Sequence, residues 1–242
     1  MMMSTVISLI VSIKECATNG WELPQFYFRV GDSDLARSRN VIIGRFLDTD
    51  CTDLVLVDSD ISWAPGTLTR LVSHKKDFVA GAYKGKTDEK EMYFILWPEK
   101  KEMWTDPETG NPLLKVDGVS IGFCRIARSC VEKLVASLDG KRLHDPAIPD
   151  ETFPWLIDFE YHNGIRWEEG YTLCRKWREL GGDVWVDPMI NLGHMGAKIW
   201  ESNLIGYLEK MQNIAASEEM VSVRDEKIEN AFLEGLPREA AE

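Results

Sequence analysis

The segment Asp53–Val57, followed at once by Asp58-Ser59-Asp60, restricts the fold more than any other part of the chain. Its four consecutive apolar residues show no polar alternation, which is typical of a parallel strand that is covered on both faces within a sheet. Residues two apart at the end of a strand can point the same way. We therefore expect the Asp58 and Asp60 carboxylates to meet at one point beyond a central strand.

Strand and helix patterns alternate on both sides of this segment. The β-branched run over 6–13 predicts a first buried strand, and 25–30 a short second strand. Residues 35–47 carry apolar side chains at helical spacing, with Asp32, Ser33 or Asp34 as the N-cap. The same criteria then predict a helix with Pro65 at its first position, a strand in 77–86, a hairpin or loop in 98–112, a strand in 115–127, helices in 128–138 and 167–182, and a strand in 183–188.

This alternation predicts an α/β layer fold with a mostly parallel central sheet flanked by helices. Ligands bind such sheets at the carboxyl ends of the strands, where the two acids lie. The C-terminal part predicts two charged amphipathic helices, Trp200–Ala215 and Glu218–Leu233, which either pack over the ligand cleft or pair two subunits into a homo-oligomer. We therefore expect one larger domain over 1–198 and a helical extension over 199–242.

The net charge of −12 and the pI near 4.9 weigh against non-specific binding to nucleic acid or an anionic membrane, because such binding uses Lys and Arg to displace counterions. A local basic pocket for a phosphate is compatible with this charge. The apolar run over 6–13 has no basic flank and is too short to span a bilayer, so no membrane span is expected. Five scattered cysteines without a C-x-x-C pair suit free thiols in a reducing compartment, and the cytoplasm is the expected location.

The Asp58 and Asp60 pair predicts a cation site. Two carboxylates 4 Å apart repel by roughly 4 kcal/mol at an effective dielectric of 20, and a divalent cation removes that repulsion. Oxygen ligands suit Mg²⁺ or Mn²⁺, which keep open positions for phosphate oxygens. The alternative is that Asp60 only caps or supports the following turn.

Five segments, taken in order, resemble the GT-A glycosyltransferases, specifically the compact family-two-like members of bacteria and phages. They are RSRN, DLVLVDSDISWAPGTLTRLV, DFVAGAYKGK, VDGVSIGFCRIAR and EEGYTLCRKWRELGGDVWVDPMINLGHMG, which together span roughly 36–196. The resemblance implies a nucleotide-sugar-binding fold and a transferase that uses Mn²⁺ or Mg²⁺ with a UDP- or GDP-sugar donor.

The resemblance also implies roles for individual residues. Asp60 would be a direct metal ligand, and Asp58 would contact the donor ribose or the metal through water. His194, between Gly193 and Met195, would bind the same metal. Further contacts to the donor or to the acceptor-side wall would come from Arg37, Arg39, Asn40, Lys84, Lys86, Asp117 and Gly122, although a solvated helix face or a tight sheet contact explains each of these equally well.

The sequence departs from the family where the helix begins Glu168-Glu169-Gly170. Family members often have Glu-Asp here, and that Asp deprotonates the acceptor hydroxyl. In this chain Gly170 takes the position of the Asp, so Glu169 is the first candidate for the base, with Glu168 and Asp158 as reserves. The two Glu side chains also suit a helix N-terminus for electrostatic reasons alone.

Three classes of function follow, together with several acceptors. An active transferase, inverting or retaining, agrees with the metal-ligand set, whereas Gly170 and the helical tail favour a non-catalytic protein that binds a nucleotide sugar without turnover or serves as a scaffold. A nucleotidyltransferase is less favoured, because the loop KECATNGWE lacks the expected glycine-rich pattern. The acceptor could be a polysaccharide, a lipid-linked sugar, a protein or a hydroxymethylated DNA base, and nucleic acid enters only in that last role.

Overall fold

The computed structural model describes residues 1–88, 92–146, 148–162 and 164–215. Its helices are α1 (Met3–Thr18), α2 (Leu35–Leu47), α3 (Thr67–Ser73), α4 (Arg128–Ala136) and α5 (Glu169–Glu179), and residues 204–215 are also helical. The strands are β1 (Asp53–Val57), β2 (Ile61–Trp63), β3 (Phe78–Ala80), β4 (Ile95–Leu96), β5 (Met103–Thr105), β6 (Pro112–Val116), β7 (Gly118–Val119), β8 (Phe123–Ala127), β9 (Arg142–His144), β10 (Thr152–Pro154), β11 (Glu160–His162), β12 (Ile165–Trp167), β13 (Val184–Val186), β14 (Leu192–Met195) and β15 (Ile199–Glu201).

The main sheet is mixed and mainly antiparallel. Its six strands follow the order β1-β8-β3-β13-β6-β5, and of its five pairings only β3 with β13 is parallel. The α/β class is therefore confirmed, whereas the prediction of a mostly parallel sheet is wrong. The reason is that β8 enters between β1 and β3 and runs against both. Hydrophobic patterning reports burial of a strand but not the direction of its neighbours.

The apolar strand β1 lies at an edge of this sheet rather than in its centre. Within the described residues it pairs with β8 alone, in the register Asp53 to Ala127 through Val57 to Phe123. Leu54 and Leu56 are buried, whereas Asp53, Val55 and Val57 are partly exposed. The strand itself was predicted correctly, but its central position was not.

The N-terminal segment is a helix, which contradicts the prediction of a buried strand over 6–13. Thr5, Ser8, Ser12 and Cys16 share one face of α1 and are its buried residues. The Ser8 hydroxyl donates to the Trp63 carbonyl at 2.8 Å and accepts from the Trp63 amide at 3.0 Å. Small polar residues at helical spacing therefore join α1 to β2. The strand predicted over 25–30 is also absent, since this segment has no regular structure.

The other predicted elements are largely confirmed. Helix α2 begins after Asp34, whose carboxylate accepts from the Arg37 amide at 2.9 Å, as expected of an N-cap. The region 98–112 forms part of the β5–β6 hairpin. The single strand predicted over 115–127 is divided among β6, β7 and β8. Helix α3 begins at Thr67 after the N-cap Gly66, so Pro65 lies before the helix.

A second, three-stranded sheet brings distant segments together. Strand β14 pairs antiparallel with β2 and with β15. The hydrophobic core that joins this sheet and α3 to the main sheet contains Ile61, Trp63, Leu68, Leu71, Val79, Tyr83, Leu113, Phe123, Trp185, Ile190 and Leu192. Burial of this core fixes β2, and hence the turn that follows β1, against β14.

The chain divides into two compact units, Met1–Leu204 and one that begins at Ile205. The first of the two predicted C-terminal helices is described over 204–215, and the helix predicted over Glu218–Leu233 lies outside the described residues. All five cysteines are free thiols, as expected. In the described part of the chain, no helix has the length and apolar character needed to cross a bilayer.

Candidate functional site

The Asp58-Ser59-Asp60 turn is fixed by hydrogen bonds from several elements. The Asp58 amide donates to the Gly122 carbonyl at 2.8 Å. The Ser59 carbonyl accepts from the Met2 amide at 2.8 Å and from the Thr5 hydroxyl at 3.1 Å, both at the start of α1. The Asp60 carbonyl accepts from the Met195 amide at 2.8 Å. The turn is therefore held by α1, by the segment before β8 and by β14.

The two acidic side chains of this turn face different cations. The Asp58 carboxylate pairs with the Arg39 guanidinium at 2.7 Å, and the Asp60 carboxylate pairs with the Lys86 ammonium at 2.5 Å. Within the described residues, no three His, Cys, Asp or Glu side chains are grouped so that they could hold a metal. Binding of a metal by Asp58, Asp60 and His194 therefore stays a prediction.

His194 lies beside Asp60 because β14 pairs with β2. In that register His194 is opposite Ile61, and its Nε2 is 3.8 Å from Asp60 Oδ2. The other ring nitrogen, Nδ1, lies 2.9 Å from the Lys84 carbonyl oxygen. A carbonyl only accepts, so Nδ1 carries a proton, and Nε2 is the ring nitrogen on the side of Asp60.

Arg39 is a buried link between two segments of the site. It projects from α2, is 4% exposed, and its guanidinium contacts both Asp58 and Glu169. Burial works to lower the pKa of Arg39, but the charges of Asp58 and Glu169 outweigh it and raise that pKa. The first turn of α5 is thereby connected through Arg39 to the end of β1.

Gly122 leaves room for the Asp58 carboxylate. A Cβ at this position would overlap both Asp58 Oδ2 and the Tyr83 hydroxyl, so these two groups are neighbours above the glycine. The Tyr83 and Ser120 hydroxyl oxygens are 2.5 Å apart, and burial raises the pKa of Tyr83 above its ordinary value. The phenol is therefore a neutral hydroxyl beside an anionic carboxylate.

Two of the predicted donor-side residues on α2 are engaged in the scaffold. Both polar atoms of the Asn40 side-chain amide are hydrogen-bonded. Nδ2 donates to the Ala36 and Ile157 carbonyls, and Oδ1 accepts from the Leu156 and Ile157 amides. Arg37 pairs with Asp32 in the loop before the helix. Asn40 thus has no polar atom left for a ligand, and Arg37 contributes to the loop that caps α2.

The residues predicted to contact the phosphates and the acceptor lie in two different parts of the structure. The segment Lys84-Gly85-Lys86 contacts the site twice, through the Lys84 carbonyl and the Lys86 ammonium. Asp117 lies at the end of β6, where its carboxylate pairs with Arg178 at 2.6 Å. Lys84 and Lys86 therefore border the Asp60 and His194 pair, whereas Asp117 joins the sheet to α5.

The three candidates for the base have different surroundings. Glu169 is 8% exposed and contacts Arg39. Glu168 is exposed at the N-cap position of α5. The Asp158 carboxylate accepts from Trp155 Nε1 at 3.0 Å, and the Asp158 carbonyl accepts from the Thr172 hydroxyl at 2.6 Å. Gly170 packs against the chain itself, because a Cβ there would lie 3.3 Å from the Ile121 amide nitrogen.

A separate open groove of about 750 Å³ contains none of the predicted site residues. It is bordered by Asn19, Trp21, Pro65, Gly66, Thr67, Thr69, Arg70, Ser73, Asn111 and Met189. The residues that border the groove include no Asp, Glu, His or Cys, whereas acidic and imidazole groups converge around Asp58, Asp60 and His194, which therefore form the candidate site.

Sequence reasoning missed the side chains that support the acids. Tyr83 and Ser120 carry no motif of their own, and the contacts of Met2 and Thr5 with Ser59 required α1 to be recognised as a helix. The signal for that helix was the spacing of Thr5, Ser8, Ser12 and Cys16.

No family model and no curated protein matches the chain. Among solved structures, A197 from STIV is similar over 78% of this chain and 78% of its own length, at 16% identity and a TM-score of 0.45.

Proposed function

We propose that this protein is a metal-dependent glycosyltransferase that takes a sugar from a nucleotide-sugar donor. The single observation that carries the proposal is the position of His194 beside Asp60, although the two residues are far apart in the sequence. The hydrogen bond from Nδ1 to the Lys84 carbonyl leaves Nε2 as the ring nitrogen that faces the carboxylate and would bind a metal there. One imidazole nitrogen and one or two carboxylates form a donor set that suits Mn²⁺, and Mg²⁺ through the oxygens.

Asp60 and His194 are the residues that would hold the ion, and Asp58 has a different task. Its carboxylate is held by Arg39 and occupies the space above Gly122. We therefore propose that it contacts the donor ribose or a water molecule on the metal. When bound, the cation would neutralise the negative charge that develops on the departing nucleoside diphosphate. The glycines near His194 make room for neighbouring side chains, since a Cβ at Gly193 would lie 2.6 Å from Ser62 Oγ and one at Gly196 would lie 2.8 Å from the Trp200 ring.

The base is best sought outside the Arg39 ion pair. Glu169 is held in a buried contact with a guanidinium and serves there to position α5. Glu168 and Asp158 border the same helix start and are more accessible, so we propose that one of them accepts the acceptor proton if the reaction inverts. Glu168→Gln and Asp158→Asn should each be compared with Glu169→Gln. A large fall in rate together with loss of the acid limb of the pH–rate profile, where the base becomes protonated, would identify the base, whereas Glu169→Gln should mainly lower stability.

The experiment is a donor screen in the presence of Mn²⁺. UDP-, GDP- and dTDP-sugars are incubated with the protein, and release of the free nucleoside diphosphate is measured. We expect one class of donor to be cleaved, with the rate reduced about 100-fold or more in Asp60→Asn and in His194→Gln. Asp88→Asn is the matched control, since it alters an exposed acid that pairs with Lys198. Undiminished metal-stimulated release by Asp60→Asn would contradict the proposal.

A second candidate is a nucleotide-sugar-binding protein without turnover. Gly170 and the engagement of Glu169 by Arg39 favour it, because α5 then offers no free carboxylate at the family's base position. The same screen distinguishes the two functions, since this candidate predicts saturable binding of a sugar nucleotide without release of its diphosphate.

A further inference from the structure

The Lys86 ammonium lies where a cation bound to the Asp60 carboxylate would have to lie. Its ammonium lies 2.5 Å from Asp60 Oδ2, the oxygen that is also 3.8 Å from His194 Nε2. The segment that carries Lys86 also fixes His194, through the Lys84 carbonyl. One short loop therefore orients the imidazole and supplies a positive charge to the carboxylate beside it.

The path of the Lys86 side chain is built into the fold. A Cβ at Gly196 would lie 3.1 Å from Lys86 Cδ and 2.8 Å from the Trp200 ring, so the aliphatic part of Lys86 passes over a position that has to be glycine. The Lys86 side chain is 35% exposed and Asp60 is 25% exposed. The pair thus has a defined route and enough contact with solvent to separate without unfolding.

We propose that Lys86 is an exchangeable counter-ion, which leaves Asp60 when a divalent cation binds and then contacts the diphosphate of the bound nucleotide. This inference rests on the proposed function and adds a mechanism that couples cation binding to nucleotide binding. A divalent ion and an ammonium group repel each other, so a cation that binds the Asp60 oxygen held by Lys86 weakens that ion pair. The displaced ammonium gains a new partner only when phosphate oxygens arrive with the cation.

The consequence is a measurable coupling between the two ligands. In the wild-type protein the cation alone competes with Lys86 and binds weakly, whereas cation and diphosphate together satisfy every charge. Removing the ammonium should therefore strengthen binding of the cation alone and reduce the gain that the diphosphate provides. Such coupling factors are typically between about 5-fold and 150-fold.

The test measures Mn²⁺ binding by electron paramagnetic resonance, with and without UDP or GDP, for wild type, Lys86→Met and Lys198→Met. Protein-free samples correct for Mn²⁺ bound to the nucleotide in solution. Lys198→Met is the matched control, because it removes the same charge from an exposed lysine that pairs with Asp88. We expect Lys86→Met to bind Mn²⁺ alone at least about fivefold more tightly than wild type. We also expect a smaller enhancement by the nucleotide, and no such changes in Lys198→Met.

Equal Mn²⁺ affinity in Lys86→Met and Lys198→Met, or an unchanged enhancement by the nucleotide, would overturn the counter-ion role and leave the transferase proposal standing. Absence of Mn²⁺ binding to the wild type in every condition would overturn both. Tighter Mn²⁺ binding by Lys86→Met, without release of diphosphate from any sugar nucleotide, would support the counter-ion role and overturn the transferase proposal. Lys86→Gln, which keeps a polar side chain without the charge, should reproduce the result for Lys86→Met.

Discussion

Arg39 lies between two carboxylates that come from distant parts of the sequence, Asp58 after β1 and Glu169 at the start of α5. The motif around Asp58 and Asp60, and the glycine-flanked His194, could be recognised from the sequence because each follows a strong local pattern. The partners of those side chains could not. Pairing of Arg39 with Glu169 depends on how α2 and α5 meet, and no local pattern reports that.

Replacing Arg39 should destabilise the fold more than replacing a partly exposed arginine on the same helix. Arg39→Gln leaves the buried Glu169 carboxylate without its counter-charge, and we expect a loss of about 3–5 kcal/mol in the free energy of unfolding. Adding Glu169→Gln should restore part of that loss. The control Arg45→Gln breaks a half-exposed pair with Glu151 and should cost about 0–1 kcal/mol. Denaturant titration measures the free energy of unfolding of wild type, Arg39→Gln, the double variant with Glu169→Gln, and Arg45→Gln. Equal stability of Arg39→Gln and Arg45→Gln would refute the structural role of the buried Arg39 ion pairs.

Gly170 gives a second test at this scale. The substitution Gly170→Asp would place a Cβ 3.3 Å from the Ile121 amide nitrogen. We expect it to cost about 1–3 kcal/mol without raising the rate of diphosphate release. Gly170→Ala separates the steric effect from the charge. A faster and equally stable Gly170→Asp protein would show that the helix start tolerates a base there.

At the level of elements, most helices and strands follow from local pattern, while α1 and the direction of the strands do not. The run Val6–Ile13 is rich in β-branched residues, and this local preference predicted a strand. Tertiary contacts decide otherwise, because Ser8 and Ser12 satisfy polar groups of Trp63 only when they share one helical face. Similarly, β8 separates β1 from β3 through long-range pairing that no short window of sequence contains.

Ser12 should therefore be an anchor of α1. Its hydroxyl accepts from Trp63 Nε1 at 3.0 Å, and both side chains are buried. Ser12→Ala leaves a buried indole N–H without an acceptor, which we expect to cost about 1–3 kcal/mol. Thr18→Ala on the same helix changes an exposed hydroxyl that bonds only within α1, and it should stay within about 0.5 kcal/mol of wild type. The midpoints of thermal unfolding of Ser12→Ala and Thr18→Ala are compared, and similar midpoints would contradict the anchoring role of Ser12.

For the whole molecule, Asp187 joins α3 to the end of β13. It is fully buried, and its carboxylate accepts from Arg70 Nε at 2.5 Å and lies 2.7 Å from His74 Nε2. Burial works to raise the pKa of Asp187, but hydrogen bonds from His74 and Arg70 outweigh it, so that pKa lies below the ordinary value of 3.8. These contacts lie outside the candidate site and hold the scaffold on which it is built.

Stability should consequently fall with acid in a way that depends on Asp187. The folded protein has the lower pKa for this group, so the unfolded chain binds more protons, and stability is lost as the pH falls below the ordinary value of 3.8. In Asp187→Asn the free energy of unfolding should be lower at neutral pH and should depend less on pH in that acid range. Some dependence should remain, because the pKa of Asp106, which accepts from the Glu108 amide, is also lowered. Asp50→Asn, which alters an exposed carboxylate, is the control, and an acid slope that is the same in both variants would contradict this account.

The central claim is that Asp60 and His194 together bind a divalent cation beside a nucleotide diphosphate. Crystals grown with MnCl₂ and a non-transferable sugar nucleotide test it most directly, through anomalous difference density at the manganese edge. We predict one strong peak within bonding distance of Asp60 and of His194 Nε2, with the diphosphate on its open side and Lys86 moved away from Asp60. An ordered nucleotide bound elsewhere, or manganese density that contacts neither Asp60 nor His194, would contradict the account.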